Sequence, residues 1–222
     1  MVGESKMKPT MIELMCGSGK MAHAFREMNY HTLTIDLDEK CEPDLVMDIN
    51  EILCDDIPEK FRNPDVIWFG MDCTYFSRAN THNGGHIGPN GQIKTRQARY
   101  AVETLKNGLR LIEALNPKFW FVENPGGNGA MKSLDCMKKY PHVEIVYCAY
   151  GGNTKKPTSL FGKFPSKFIP KTVCHHNFHS ENIQNTMKGK LKRSEYPLEF
   201  CWDISYACYM SETSSWTKLD VF

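Results

Sequence analysis

No apolar run in this 222-residue chain approaches the roughly 20 residues that a membrane-spanning helix needs. The charged opening, Met1-Val2-Gly3-Glu4-Ser5-Lys6-Met7-Lys8, leads into no signal-peptide core, so nothing argues for secretion. The expectation is an intracellular protein, cytoplasmic or nuclear, in a reducing compartment. No internal repeat is visible, which leaves no basis for a stacked array. The nine cysteines are odd in number, scattered and mostly set in apolar segments. That pattern speaks against a regular disulfide framework, and buried free thiols are the commoner reading of it. Excess charge is missing as well, with 27 Lys and Arg against 26 Asp and Glu.

What is present is ordinary for a globular protein: 41% hydrophobic and 24% charged residues. A chain of this length buries one α/β core well, whereas two full domains would each be small. Residues 11–15 read as a short buried strand running into Cys16-Gly17-Ser18-Gly19, and residues 20–28 carry apolar positions at helical spacing. Residues 30–35 and 44–47 read as strands ending at Asp36 and Asp48, and residues 66–69 as a fourth leading into Gly70-Met71-Asp72-Cys73. Residues 78–92, rich in Asn, Gly and His, read as a long loop. A helix is predicted over 97–115 from the stripe of Tyr100, Ala101, Leu105, Leu109, Ile112 and Leu115, closed by Asn116-Pro117. A fifth strand over 119–122 ends at Glu123-Asn124-Pro125, residues 131–139 read as helix, and residues 143–150 as a sixth strand. Beyond Gly152 the pattern degrades into turns, basic residues and aromatics until a final helix over 198–209. Such alternation predicts an α/β fold with a doubly wound, mostly parallel sheet, whose ligands bind beyond the carboxyl ends of the strands.

The polar residues fall at those ends. A glycine turn between strand and helix lets backbone approach a ligand, and an acid after the next strand can accept hydrogen bonds from a ribose diol. Cys16-Gly17-Ser18-Gly19 with Asp36 fits that arrangement, although Met21 and Ala22 stand where a dinucleotide fingerprint would have its third glycine. Asp48 and Ile49 could meet an adenine by hydrogen bond and apolar contact. Farther on, residues 154–193 hold nine Lys and Arg (Lys155, Lys156, Lys163, Lys167, Lys171, Lys188, Lys190, Lys192, Arg193) against one carboxylate, Glu181. Interleaved with Phe161, Phe164, Phe168 and Phe178, they suit a surface that tracks phosphates while aromatic faces meet bases. A solvated lysine face is the other reading.

In order and spacing, residues 11 to about 161 resemble the cytosine-C5 DNA methyltransferases, in particular the small phage-type and virus-type members. Glu13-Leu14-Met15-Cys16-Gly17-Ser18-Gly19 resembles their cofactor motif, Met71-Asp72-Cys73-Thr74-Tyr75-Phe76-Ser77 the nucleophile motif, and Phe121-Val122-Glu123-Asn124-Pro125 the Glu-Asn motif. Tyr150-Gly151-Gly152-Asn153-Thr154-Lys155-Lys156-Pro157-Thr158 is similar to the eighth motif. The resemblance implies a Rossmann-like class I fold using S-adenosylmethionine, held by Met15, Cys16, Gly17, Ser18, Gly19, Asp36, Leu37, Asp48, Ile49 and Asp72. It implies Cys73 as the thiolate that adds to C6 of a flipped cytosine in DNA, and Glu123 as the acid on the ring nitrogen and amine. Lys155 or Lys156 would hold the base carbonyl or a phosphate, and no metal is implied.

Three departures mark the chain. Asp72 stands where the family has proline, and a carboxylate there opposes thiolate formation unless turned away or paired. Lysines replace the arginines of the eighth motif, giving point charges in place of planar forks. After Phe161 the chain is too short for a large target-recognition domain, so residues 1–160 read as the cofactor-binding catalytic domain and 161–222 as a reduced, basic target-contacting segment with a terminal helix. A protein partner supplying target specificity fits that shortage. Other readings stay open: a catalytically silent DNA-binding or accessory relative, or an enzyme acting on RNA. Cys174, His175, His176 and His179, with Cys201 or Cys208, carry zinc-ligating chemistry at a non-standard spacing, and a basic face is preferred to a metal site.

Overall fold

The structure is a computed structural model and describes residues 7–77, 85–127, 129–152, 155–175 and 195–213. Its centre is a seven-stranded sheet built from β1 (Thr10–Leu14), β2 (His31–Asp36), β3 (Leu45–Val46), β4 (Val66–Gly70), β5 (Phe119–Pro125), β6 (His142–Val146) and β7 (Pro157–Lys163). The strand order is β3-β2-β1-β4-β5-β7-β6. Four pairings, from β3 to β5, are parallel, while β7 runs antiparallel to both β5 and β6. The expected doubly wound, mostly parallel sheet is therefore present, with one reversed strand near its edge.

Alternation along the central strands assigns their two faces. Met11, Val66, Trp68 and Phe121 point to one side, where α1 (Lys20–Glu27) and α4 (Leu198–Thr213) supply Met21, Phe25, Phe200, Ile204 and Cys208. Ile12, Leu14, Ile67, Phe69 and Val122 point to the other, covered by Leu105, Leu109 and Ile112 of α2 (Arg96–Leu115). The Thr95 hydroxyl caps α2 by accepting from the Ala98 amide at 3.2 Å, and Asn116 ends it in the left-handed region with φ 47°. Gly108 lies in α2 where a Cβ would collide with the Phe69 ring, so the missing side chain sets the approach of helix to sheet.

Several expectations are corrected. The strand expected over 143–150 stops at Val146, and Tyr147–Tyr150 turns as a 3₁₀ helix closed by Gly151 at φ 74°. Residues 131–139 are a 3₁₀ turn, Met131–Ser133, and one α-turn, α3 (Asp135–Lys138), broken by extended Leu134. The pattern does not degrade after Gly152: β7 lies between β5 and β6, its polar Thr158 and Ser159 buried by pairing that no local periodicity announces. Phe161 is buried in β7, and Phe164 and Phe168 pack on Phe121 with ring centroids 5.6 and 6.3 Å apart. Phe161 fills core and Phe164 and Phe168 pack half-buried against it, so all three are withdrawn as stacking faces for bases, while Phe178 lies outside the described residues. Lys171 is spent on an ion pair with Glu199, whereas Lys163 and Lys167 are exposed. Lys188, Lys190, Lys192 and Arg193 lie outside the described residues.

Candidate active site

The parallel pairings bring the strand ends flagged in the sequence to one edge of the sheet. At the first, β1 breaks into a turn in which Met15, Gly17 and Gly19 all have positive φ, at 54°, 51° and 64°. A Cβ at Gly17 or Gly19 would meet nothing within 4 Å, so the glycines are there for backbone conformation and leave open space before the turn. The Gly17 amide donates to Asp36 Oδ2 at 2.9 Å, and Asp38 donates to Oδ1 at 3.0 Å, fixing the carboxylate at the end of β2. Leu37 beside it is 62% exposed. Glu13 is buried beneath the turn, its Oε2 accepting the Ala22 amide at 2.7 Å, and burial pushes its carboxyl up to about 8.

Because the Met47 amide bonds the Asp36 carbonyl, Asp48 follows directly beside Asp36. Asp48 Oδ2 accepts from the Tyr100 hydroxyl at 2.8 Å, and Oδ1 accepts from the amide and side chain of Asn50. Ile49 is buried. Tyr100, read in the sequence as one position of the α2 apolar stripe, is 55% exposed and points its hydroxyl at this edge instead.

At the second centre, β4 and β5 pair so that Gly70 faces Glu123. Cys73, three residues past Gly70, is half-buried and sits in a turn closed by the Ser77 amide on the Cys73 carbonyl at 2.9 Å. Burial raises its thiol above the ordinary range; the charges of Glu123 and Asp72 push the same way and Lys156 opposes them. Asp72 is exposed, and its Oδ1 accepts from the Thr74 amide at 2.9 Å and hydroxyl at 2.7 Å. Glu123 is 4% exposed. Its Oε1 accepts the Tyr147 hydroxyl at 2.9 Å and lies 3.9 Å from Lys156 Nζ. Of the two lysines, Lys156 joins this group and Lys155 is exposed. Next to Glu123, Asn124 is fully buried with neither amide atom bonded among the described residues.

Two aromatic residues to which the sequence assigned no role at the site complete the wall. Tyr147 is one; Tyr196, just before α4, is the other. Its hydroxyl accepts from Trp68 Nε1 at 3.2 Å and occupies the space a Gly70 Cβ would need. Glu195 beside it bonds Lys20 at the start of α1, at 2.7 Å. The place of neither tyrosine at the site was legible in advance, because both reach it by tertiary packing. None of the nine cysteines is in a disulfide, and Cys201 and Cys208 are buried within α4 packing. His176 and His179 lie outside the described residues.

No family model matches the chain. A curated relative, the "Probable DNA (cytosine-5)-methyltransferase" of Frog virus 3 (isolate Goorha), is 31% identical over 137 residues, 59% of this chain and 60% of the relative. The solved Entamoeba histolytica methyltransferase EhMeth is similar with a TM-score of 0.54 and 12% identity, over 77% of this chain and 58% of that one. A protein encoded in an Escherichia coli prophage and named as a DNA modification methyltransferase is similar with a TM-score of 0.50 and 17% identity, over 75% of this chain and 52% of that one. The chain thus spans between 52% and 60% of the length of these proteins. The structural likenesses establish the fold, the Rossmann-like α/β fold of these methyltransferases.

Proposed function

We propose that this chain transfers a methyl group from S-adenosylmethionine to C5 of cytosine in DNA, through a covalent bond between Cys73 and C6. The observation that carries the reading is the meeting of Cys73, Glu123 and Lys156 at the ends of neighbouring β4 and β5. The name of the viral relative, at 31% identity, supports methylation of DNA at C5 of cytosine.

The first strand end fits the cofactor. The open glycine turn admits a ligand to backbone amides, Asp36 is held with its carboxylate at the rim for a ribose diol, and buried Ile49 beside Asp48 suits an adenine. When bound, S-adenosylmethionine supplies a methyl group on a positively charged sulfur. The chain's own residues do the rest. Cys73 loses its proton and its sulfur bonds to C6; the electrons of the 5,6 double bond move into the ring, and N3 gains the proton under the carboxylate of Glu123. C5, now electron-rich, is the atom that would receive the methyl group, the electron pair of the broken bond staying with the donor sulfur. Loss of the C5 proton to a base and of the N3 proton to Glu123 then returns electrons to the ring and breaks the C6–S bond, freeing the thiolate. Lys156 faces the same space and supplies positive charge to the carbonyl side of the ring or to a phosphate. The described cations Lys155, Lys163 and Lys167 suit the DNA backbone.

One observation favours a second reading, a silent DNA-binding or accessory relative: the Cys73 thiol is raised, so little thiolate stands ready at neutral pH. DNA containing 5-fluorocytosine separates the two, since fluorine cannot leave as the C5 proton does and an active sulfur stays attached. The expected result is a covalent adduct mapped to Cys73 and lost in Cys73→Ser, with cofactor binding by calorimetry retained. Neither adduct nor methyl transfer on any DNA tried would overturn the enzyme. No heat of binding with the cofactor or its demethylated product, and no difference on Asp36→Ala, would overturn the cofactor assignment.

A further inference from the structure

A buried carboxylate is costly unless hydrogen bonds and a counter-charge compensate it. Glu123 is 4% exposed, and among the described residues its hydrogen-bond donor is the hydroxyl of Tyr147, at 2.9 Å from Oε1. Lys156 stands 3.9 Å from the same oxygen, beyond hydrogen-bond distance, with its ammonium 4.8 Å from the centre of the Tyr147 ring. Both partners therefore gather on Oε1.

We propose that Tyr147 is a positioning residue for Glu123, holding the carboxylate by Oε1 so that Oε2 is presented to the ring nitrogen and amine of the base. This deepens the function proposed above and rests on Glu123 acting on the base. The hydroxyl is well placed for such a task because its ring cannot wander. Tyr147 is 3% exposed and opens the 3₁₀ turn that follows β6. Its amide donates to the Lys156 carbonyl at 3.1 Å, which ties the tyrosine and the lysine to each other through backbone. Phe200 of α4 and Tyr196 pack on its ring, with centroids 5.6 and 6.5 Å away. Burial also holds the phenol un-ionised far above its usual range, with the Glu123 charge adding to the effect, so the hydroxyl remains a donor at working pH. One rigid donor on one oxygen fixes the plane of the carboxylate, and orientation within a fraction of an ångström is what makes an acid effective.

A merely structural tyrosine, burying its hydroxyl on the nearest acceptor, would give the same contacts but different energetics. The test is a double-mutant cycle on the rate of adduct formation with fluorocytosine DNA, using the full chain with bound cofactor. Tyr147→Phe keeps the ring and removes the donor. We expect its rate to fall by about ten-fold or more, with KM for DNA within about a factor of two. In a Glu123→Gln background the same change should cost little, because there is no longer a carboxylate to hold. An equal loss in both backgrounds, or no loss in the first, overturns the proposal while leaving the enzyme reading intact. Absence of adduct in the parent overturns both. Should Tyr147→Phe not fold, a fluorinated tyrosine placed at position 147 keeps the shape and strengthens the donor: a changed rate with Glu123 but not with Gln supports the assignment, and an unchanged rate overturns it.

Discussion

Asp72 stands beside the proposed nucleophile, yet its carboxylate is bent back to cap its own loop at Thr74. The cap answers half of the objection that a carboxylate there raises. Its charge is oriented but still felt, since it and Glu123 push the Cys73 thiol up in the same direction as burial. Asp72→Asn keeps an oxygen for the cap and removes the charge, so the expected outcome is alkylation of Cys73 by iodoacetamide at pH 7.5 that is faster by roughly three- to ten-fold. Lys156→Met should slow it, because Lys156 is the cation that lowers this thiol. The sign with pH follows: thiolate appears only as pH rises through the raised value, so the parent's alkylation rate should keep climbing beyond the ordinary thiol range. Peptide mapping by mass spectrometry reads Cys73 apart from the other cysteines. A parent rate already level at pH 8 would contradict this electrostatic account.

At the scale of elements, the start of α1 is seated on Glu13. That carboxyl is pushed up to about 8 from 4.5, by burial foremost, so the folded state holds a proton that the unfolded chain gives up. Below pH 4.5 both states carry it and nothing is lost; between 4.5 and 8 folding must take up a proton, and stability falls as pH rises. Glu13→Gln still accepts the Ala22 amide and has nothing to ionise. It should leave stability near pH 4 unchanged and raise it at pH 7 by on the order of 3 kcal/mol, read from urea midpoints. The seat of α2 on β4 gives a second test. Alanine in place of a mid-helix glycine favours the helix by about 1 kcal/mol, but at Gly108 the new methyl enters the Phe69 ring. Overpacking of a buried ring costs about 1–3 kcal/mol. Gly108→Ala should therefore lower the melting temperature or leave it level, and a clear rise would mean that Phe69 moves freely aside.

For the whole molecule, the consequential feature is that the last third of the described chain returns to the sheet. The border drawn in the sequence between residues 160 and 161 falls inside β7, between Leu160 opposite Glu123 and Phe161 opposite Val122. α4 then buries Phe200, Cys201 and Ile204 against the face made by Met11, Trp68 and Phe121. A fragment ending at residue 160 would expose that face, cut β7 and leave Trp120, Phe121 and Val122 of β5 without their partners. It should be insoluble or lack a cooperative thermal transition by circular dichroism, whereas a stable fragment would restore the two-part division. α4 also presents Trp202 and Tyr206, 50% and 53% exposed, on its outward side.

The sequence by itself determined the central sheet and the residues at its edge. Buried runs at 11–14 and 66–69, the glycine turn and the 20-residue α2 are signals carried by neighbouring residues, so period and turn chemistry suffice to read them. The ends of strands β1, β2, β4 and β5 then follow from where polarity returns, which brought Gly17, Asp36, Cys73 and Glu123 into view. Only the tertiary structure decided that Lys156 and not Lys155 meets Glu123, because that choice depends on the antiparallel register of β7. The same holds for Tyr147 and Tyr196, separated from Glu123 by 24 and 73 positions and brought to it by the turn after β6 and the approach to α4. Phe161, Phe164 and Phe168 carry the same lesson in reverse. Beside lysines they looked like a surface for bases, but pairing with β5 and β6 turned Phe161 inward and packing on Phe121 drew in Phe164 and Phe168, since an aromatic gains more from leaving water than local sequence can reveal.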